Sequence, residues 1–340
     1  MGYLSFAAEK VSQMHQDGSV ALPPRVRHHQ TGDIDEHALA VEGWRMQYDQ
    51  LSPGRFHGEL SALRLDDVSL LRDRSNQAML KNGEARSDTL AFSLPMRDAG
   101  ALHCAGHTLR EAQLLVARGD NLPELRTPAG LDLLCINLQT AELERLLACQ
   151  GSGLDVRELP GCYRLPRDGA YQELALLAQH LLTPTADSQA WLTQPGTRAM
   201  LRDTVLLHLL DLLDTSEPQV LASSARLRLV RRARDYVLAR PDQPPSILEL
   251  CNRVGASRRK LQYCFQETLG INPVAYLRTL RLNAVHRTLR RGEEETVQDV
   301  AAHWGFGHLS RFAHDYQVLF GQLPSATLKG RGPASLAQKC

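Results

Sequence analysis

Several things are missing from this sequence, and each omission narrows its use. In its 340 residues no apolar stretch approaches the roughly 18 that a membrane-spanning helix needs. The longest candidate, residues 205–213, is broken by His208 and Asp211. No Cys-x-x-Cys pair occurs. The seven cysteines (104, 135, 149, 162, 251, 264 and 340) are odd in number and scattered, which predicts reduced, mostly buried thiols in a cytoplasmic chain. Gly-x-Ser-x-Gly, P-loop and dinucleotide fingerprints are absent, so no enzyme activity and no cofactor are expected. There is no basic run at the start, Glu9 and Lys10 end the first apolar stretch, and Phe6 stands where a myristoylation signal needs Ser or Thr. Neither a cleaved leader nor a lipid anchor is expected, and no membrane partner.

What is present suits a protein of two domains: 43% hydrophobic residues over a length too great for one ordinary core. The formal net charge of +1 conceals a split. After Leu221 there are 19 Lys and Arg against 9 Asp and Glu, a net of +10; before it there are 20 against 29, a net of −9. An acidic body joined to a basic C-terminal third points to an electrostatic task for that third.

Residues 1–140 read as mostly β. Short apolar runs at 60–65, 68–71, 89–94, 102–104, 113–116 and 131–138 alternate with turns such as Ser52-Pro53-Gly54, Lys81-Asn82-Gly83 and Pro128-Ala129-Gly130, the pattern of a barrel or sandwich. Residues 1–14 fit a short amphipathic helix, and the stretch from Leu22 to Gln30 a connector with His28 and His29 exposed on it. Residues 141–214 change to helical period, with helices predicted from Thr140, over 171–182 and over 196–213. The last carries two apolar stripes, one of them Leu206, Leu209, Leu210 and Leu213. The second stripe either meets a partner subunit, making 141–214 a dimerisation segment, or is buried on two sides within the monomer. Residues 215–224 read as the linker, 225–330 as a helical domain and 331–340 as a tail.

Within 225–330 the chain repeats itself. Ser246-Ile247-Leu248-Glu249 and Thr296-Val297-Gln298-Asp299 are both helix-capping boxes, 50 residues apart. Each is followed by an apolar pair (Leu250 and Val254; Val300 and Trp304) and a glycine, Gly255 or Gly305, suited to a tight turn. Beyond the turn, Leu261, Phe265, Gly270 and Pro273 recur as Phe312, Tyr316, Gly321 and Pro324 with an offset of 51, so the second turn holds one extra residue. Capped helix, turn and second helix form the helix-turn-helix plan. The second helices are expected at about 257–269 and 308–320. Their polar faces carry Arg258, Arg259, Gln262, Tyr263 and Gln266 in one copy, and His308, Ser310, Arg311, His314 and Gln317 in the other. Such side chains donate to guanine, bond adenine or hold phosphate. A solvated exterior face is the plainer reading for one copy; duplication in a basic domain favours DNA. The joining segment 274–291 would span roughly 27 Å as a helix, near the ~34 Å between successive major-groove faces.

Residues 226–330 resemble the two-unit DNA-binding domain of the AraC/XylS family of bacterial transcription regulators. The resemblance rests on Gly255-Ala256-Ser257, Leu261-x3-Phe265, Gly270-Ile271-Asn272-Pro273, Arg281-Leu282-x-Ala284-x4-Leu289, Gly305-Phe306 and Phe320-Gly321-x2-Pro324-Ser325. Residues 307–316 further resemble the branch that contains the ethanolamine-operon regulator. The family implies an all-helical domain on two adjacent major-groove segments, and an N-terminal sensing or dimerisation domain that is often cupin-like. The whole would then be an α+β chain: a cupin-like barrel or sandwich with a helical dimerisation segment, then two helix-turn-helix units on a central helix. By position the resemblance assigns base-facing roles to Arg259, Gln262 and Tyr263, with Arg258 near the backbone, and in the second unit to Leu309, Ser310, Arg311 and His314. Asp315, Val318 and Leu319 occupy a surface where many relatives carry Lys or Arg, which implies weaker phosphate grip there. The expected partners are promoter DNA, a second copy of the chain, RNA polymerase and a small-molecule effector.

Other residues receive quieter roles. Arg281 and Arg287, on the central helix, are expected in internal ion pairs, and Trp304 and Tyr276 in packing. His103, His107 and Glu111 are the one weak metal-like set, and no metal is expected on them. A cupin-type metalloenzyme with an accessory DNA-binding domain and a protein–protein adaptor are the alternatives.

Overall fold

The computed structural model describes residues 26–97, 100–109, 111–149, 151, 154–166, 170–183, 191–221, 224–292 and 296–330. The expected N-terminal helix over 1–14 and the tail 331–340 lie outside them.

The chain is a mixed α+β structure, sheet-rich in its first half and helical in its second. Thirteen strands are described among these residues, every pairing antiparallel. The larger sheet has the order β1 (Arg27–Thr31), β3 (Gly58–Leu65), β4 (Val68–Ser75), β11 (Leu131–Gln139), β6 (Thr89–Pro95), β9 (Gln113–Arg118), β12 (Cys162–Arg164), β13 (Glu217–Gln219). The smaller has β2 (Arg45–Gln50), β5 (Met79–Glu84), β10 (Leu125–Thr127), β7 (Leu102–Cys104), β8 (His107–Leu109). A short helix, α1 (Ile34–Leu39), follows β1 and is capped by Asp33, whose carboxylate accepts from the Asp35 and Glu36 amides.

Period-two alternation explains the layers. On β11, Leu134, Ile136 and Leu138 join a core with α2 (Thr140–Cys149), α3 (Ala170–Leu182) and α4 (Pro195–Thr215). Leu131 and Leu133, on the other face, pack with Met79, Leu102 and Cys104 of the smaller sheet. On β5, Met79 points into this sandwich, and its neighbour Leu80 enters the core of the helical half. The outer face of the smaller sheet is therefore where the second half docks. Between the sheets lies a buried polar cluster: Asp73 accepts from His37 at 3.0 Å and pairs with Lys81, and these partners hold its carboxyl low against the opposing pull of burial.

Four expectations need correction. Lys81-Asn82-Gly83, read as a turn, lies within β5 and pairs with β2. The stretch read as a connector ends in β1, because His28 and His29 pair in register with Ser61 and Leu60. The proposed linker contains β13, which extends the larger sheet through Cys162, Tyr163 and Arg164. The dimerisation stripe Leu206, Leu209, Leu210 and Leu213 is buried, together with Val205 and Leu212, inside the monomer. Both stripes of α4 are used up by the sheet and α3, so these leucines offer a partner subunit no surface.

The second half comprises α5 (Ala225–Leu238), α6 (Ile247–Val254), α7 (Arg258–Leu269), α8 (Pro273–Arg291), α9 (Val297–His303), α10 (Leu309–Phe320) and α11 (Pro324–Lys329). The central helix α8 serves two cores. Tyr276, Leu277 and Leu280 pack with α5, α6 and α7; Leu282, Val285 and Leu289 pack with α9 and α10. This is why its apolar residues lie on several sides. No helix among the described residues is long and apolar enough to cross a membrane.

Candidate nucleic-acid interface

The two units are built by matching local devices. Ser246 accepts from the Glu249 amide at 3.2 Å and Thr296 from the Asp299 amide at 3.1 Å, each starting a first helix. Gly255 and Gly305 turn the chain at φ +67° and +71°. In the first unit Ser257 then caps α7; in the second, Gly307 is the extra residue, and His308 occupies the cap position without a side-chain bond. Arg258, Arg259 and Lys260 thus open one second helix where Leu309, Ser310 and Arg311 open the other. Lys260, the positional match of Arg311, was not singled out by sequence because it stood inside a basic triplet.

All ten residues expected at DNA are exposed: Arg258, Arg259, Gln262, Tyr263 and Gln266 on α7, and His308, Leu309, Ser310, Arg311 and His314 at the start and along α10. The inner faces are Leu261, Cys264, Phe265 and Thr268, and Phe312, Tyr316, Leu319 and Phe320. Arg226 donates to the Tyr263 hydroxyl at 3.1 Å and lies 5.9 Å from its ring, so α5 orients that side chain. An open cleft of about 420 Å³ runs between the units, lined among others by Ser246, Ile247, Arg278, Arg281, His308 and Arg311.

The acidic half meets this domain from elsewhere. On α8, Asn283, His286, Arg287 and Arg290 face it; Arg278 and Arg281 face the cleft, roughly half a helical turn around the axis. Both second helices are gripped at their C-terminal ends. Gly54 donates to the Val318 and Leu319 carbonyls at 3.0 and 3.1 Å, and Gln50 Nε2 to Leu319 at 2.6 Å. At Gly321 an added Cβ would come within 2.6 Å of the Arg55 backbone nitrogen; at Gly106, in the β7–β8 turn, one would come within 2.8 Å of Ser224 Oγ and 3.4 Å of Thr268 Cγ2. Any side chain at either glycine would push the two halves apart.

Of the two arginines expected in internal ion pairs, one forms such a pair and the other does not. Arg287 does form an ion pair, but across the halves, to Asp49 at 2.6 Å. Arg281 makes none among the described residues: it donates to the Trp304 carbonyl at 3.3 Å and lies over the Phe306 ring. Trp304 is partly buried against the second core, and Tyr276 is buried edge-on to Phe265. Leu319 is buried and so is no part of the exposed face of α10, and Asp315 is paired with Arg278. Replacing Asp315 by Asn releases Arg278 toward the cleft; we expect DNA affinity to rise a few-fold and the plot of log K against log salt to steepen by about 0.9 if one phosphate contact is gained.

His103, His107 and Glu111 do not converge. His103 is buried beside Thr108, and Glu111 pairs with Arg164 at 3.3 Å. The one set among the described residues that does converge is Asp33, Asp35 and His286. Burial, with the Arg126 charge, pushes His103 down to about 4. The unfolded chain, near the ordinary histidine value of 6.5, takes up that proton first. Stability held above pH 6.5 is therefore lost as the pH falls toward 4. Urea midpoints should fall over that range, and less so in His103→Gln.

With this geometry in view, the sequence relationships are informative. A helix-turn-helix domain family profile matches residues 250–330. A protein described as the probable thc operon regulatory protein of Rhodococcus erythropolis is 38% identical over 103 residues, 30% of this chain and 31% of the relative. The XylDLEGF operon transcriptional activator of Pseudomonas putida is 33% identical over 86 residues, 25% and 27% of the two chains. A solved structure described as a probable AraC family transcriptional regulator from Rhodopseudomonas palustris is 34% identical across 99% of its own chain and 31% of this one, with a TM-score of 0.29. This chain carries an AraC-type helix-turn-helix domain at residues 250–330. Its match to these curated regulators spans about a third of their length, the helix-turn-helix part. The AraC-type region is also where the paired caps, turns and exposed helix faces lie.

Proposed function

We propose that the protein is a sequence-specific DNA-binding transcription regulator of the AraC family, with α7 and α10 entering successive major-groove segments of one site. The observation that carries this reading is the polarity of the two helices. Each is held at its C-terminal end by the sheet-rich half and presents its N-terminal turns, with Arg259 and Arg311, to solvent. Gln262, Tyr263, Ser310 and His314 supply further base contacts, and Arg258, Lys260 and Gln266 contact the phosphates; Leu309 offers an apolar surface to a thymine methyl. The cleft between the units leaves room for the intervening backbone, with Arg278 and His308 at its edge.

The sheet-rich half, read as a cupin-like effector domain, controls the spacing of the units. The smaller sheet touches the first unit at Gly106 and the second at Gln50 and Gly54, so a change within it moves both helices together. Contact with RNA polymerase and pairing of subunits, which would have to use faces other than the buried leucines of α4, belong to the same proposal. Selecting binding sites for the full chain from random duplex DNA tests it. Two short conserved boxes about 10 bp apart are expected, and the Arg259→Ala/Arg311→Ala double variant should enrich neither. Recovery of unselected DNA by the wild-type chain would refute it.

A further inference from the structure

At the joint between the halves the chain assembles three groups from distant parts of the sequence. Asp33 and Asp35 come from the start of α1, and His286 comes from the docked face of α8; their ligand atoms all lie within 4.8 Å of one another. His286 Nε2 is 2.8 Å from Asp33 Oδ2. Its Nδ1 is 2.6 Å from the Tyr316 oxygen, and the Tyr316 hydroxyl itself donates to Thr327 at 2.8 Å. The Tyr316 oxygen is thus left to accept the Nδ1 proton, which turns Nε2 toward the carboxylates. A hydrogen bond to the distal nitrogen that fixes tautomer and ring plane is the usual second layer of a metal-binding histidine.

Asp35 is what an ion-pair network does not explain. Its Oδ2 is buried and has no hydrogen-bond partner among the described residues. An unpaired buried carboxylate oxygen is costly and rarely left alone. Nearby cations are already engaged: Arg287 binds Asp49, and Arg290 binds Glu36 and reaches Asp33 only at 3.7 Å. Two carboxylates therefore stand within 4.8 Å of one imidazole at this joint, with Asp33 and His286 buried and Asp35 half-buried. We infer that Asp33, Asp35 and His286 form a binding site for a first-row divalent cation that staples the sheet-rich half to the central helix. One nitrogen and two carboxylate oxygens suit zinc or manganese better than calcium. With bonds of roughly 2.0–2.2 Å, side-chain rotation alone brings the three onto one ion, and water completes the shell. The site lies on the face of α8 turned from the cleft, so its occupancy would act through the docking of the halves and not by touching a base.

The test uses the full chain, stripped with chelator and free of DNA, titrated with zinc chloride and separately with manganese chloride by calorimetry, with melting temperature followed in parallel. The expected result is one saturable site per chain and a melting temperature raised by at least ~2 °C at hundredfold excess over Kd. Asp35→Asn should weaken binding by more than ~10-fold, and Tyr316→Phe by about 10-fold, because it frees the ring the hydroxyl orients. Binding that is absent from the wild-type chain, or equal in wild type, Asp35→Asn and His286→Gln, overturns the inference and leaves a plain ion-pair joint. Either outcome is independent of whether the chain recognises DNA.

Discussion

Replacing Arg259 by alanine is expected to weaken binding to the preferred site by ~1–3 kcal/mol and to relax discrimination at a single base pair. Arg259 stands in the first turn of α7, two residues after the Ser257 cap, exposed and on the face opposite Leu261 and Phe265. A guanidinium there can take the O6 and N7 acceptors of one guanine together, which a lysine cannot. Arg259→Lys should therefore recover part of the affinity and little of the base preference. Lys260→Ala is the contrasting case: loss of a phosphate contact weakens all sequences alike and reduces the salt slope by about one. Neither change should alter folding by more than about 0.5 kcal/mol, because both side chains are exposed. If Arg259→Ala binds with unchanged affinity and unchanged preference at every position, the assignment of that residue to a base edge is wrong.

The second large effect concerns the joint. Asn283 is buried, accepts from the Gln50 amide at 2.8 Å and donates to the Gln50 carbonyl at 2.9 Å, a pairing of one side-chain amide with both backbone groups of the last residue of β2. Asn283→Ala orphans both groups. At about 1–3 kcal/mol for each of the two buried groups left unpaired, docking should lose roughly 2–6 kcal/mol. Because Gln50 also holds Leu319, α10 is loosened with it. Hydrogen exchange at the Gln50 amide should accelerate well beyond that of the sandwich interior, and the selected spacing between the two half-sites should broaden while each half-site keeps its sequence. Unchanged exchange at Gln50 would show that this pairing does not hold the halves together.

How much of this was legible beforehand follows from the range of the forces involved. Capping boxes, turn glycines and helical period are local, so the repeat at Ser246 and Thr296 and the exposed faces of α7 and α10 could be read directly. The strands at 60–65, 89–94 and 131–138 were readable because their apolar runs are continuous or alternate cleanly. β2 and β5, which carry Arg45, Asp49 and Lys81, were not: their charged residues mask the period, and they are explained only by partners elsewhere in the fold. The stripe on α4 showed that two surfaces were needed but not that both belong to the monomer. The joint was invisible for the same reason. Asp33, Glu36 and Asp49 are far in sequence from His286, Arg287 and Arg290, and a polar face on the central helix carries no label for its partner. Part of the charge split therefore serves docking: Arg234, Arg287 and Arg290 pair with Glu124, Asp49 and Glu36 of the acidic half, while Arg258, Arg259, Lys260 and Arg311 stay exposed.

The most direct test of two helices reading one site is a hydroxyl-radical and guanine-methylation footprint of the full chain on its selected sequence, repeated with Arg259→Ala and with Arg311→Ala. Two protected segments on one face of the duplex, about 10–10.5 bp apart, are expected, with each variant losing protection at a different segment. A single protected segment, or the same segment lost in both variants, would contradict the account.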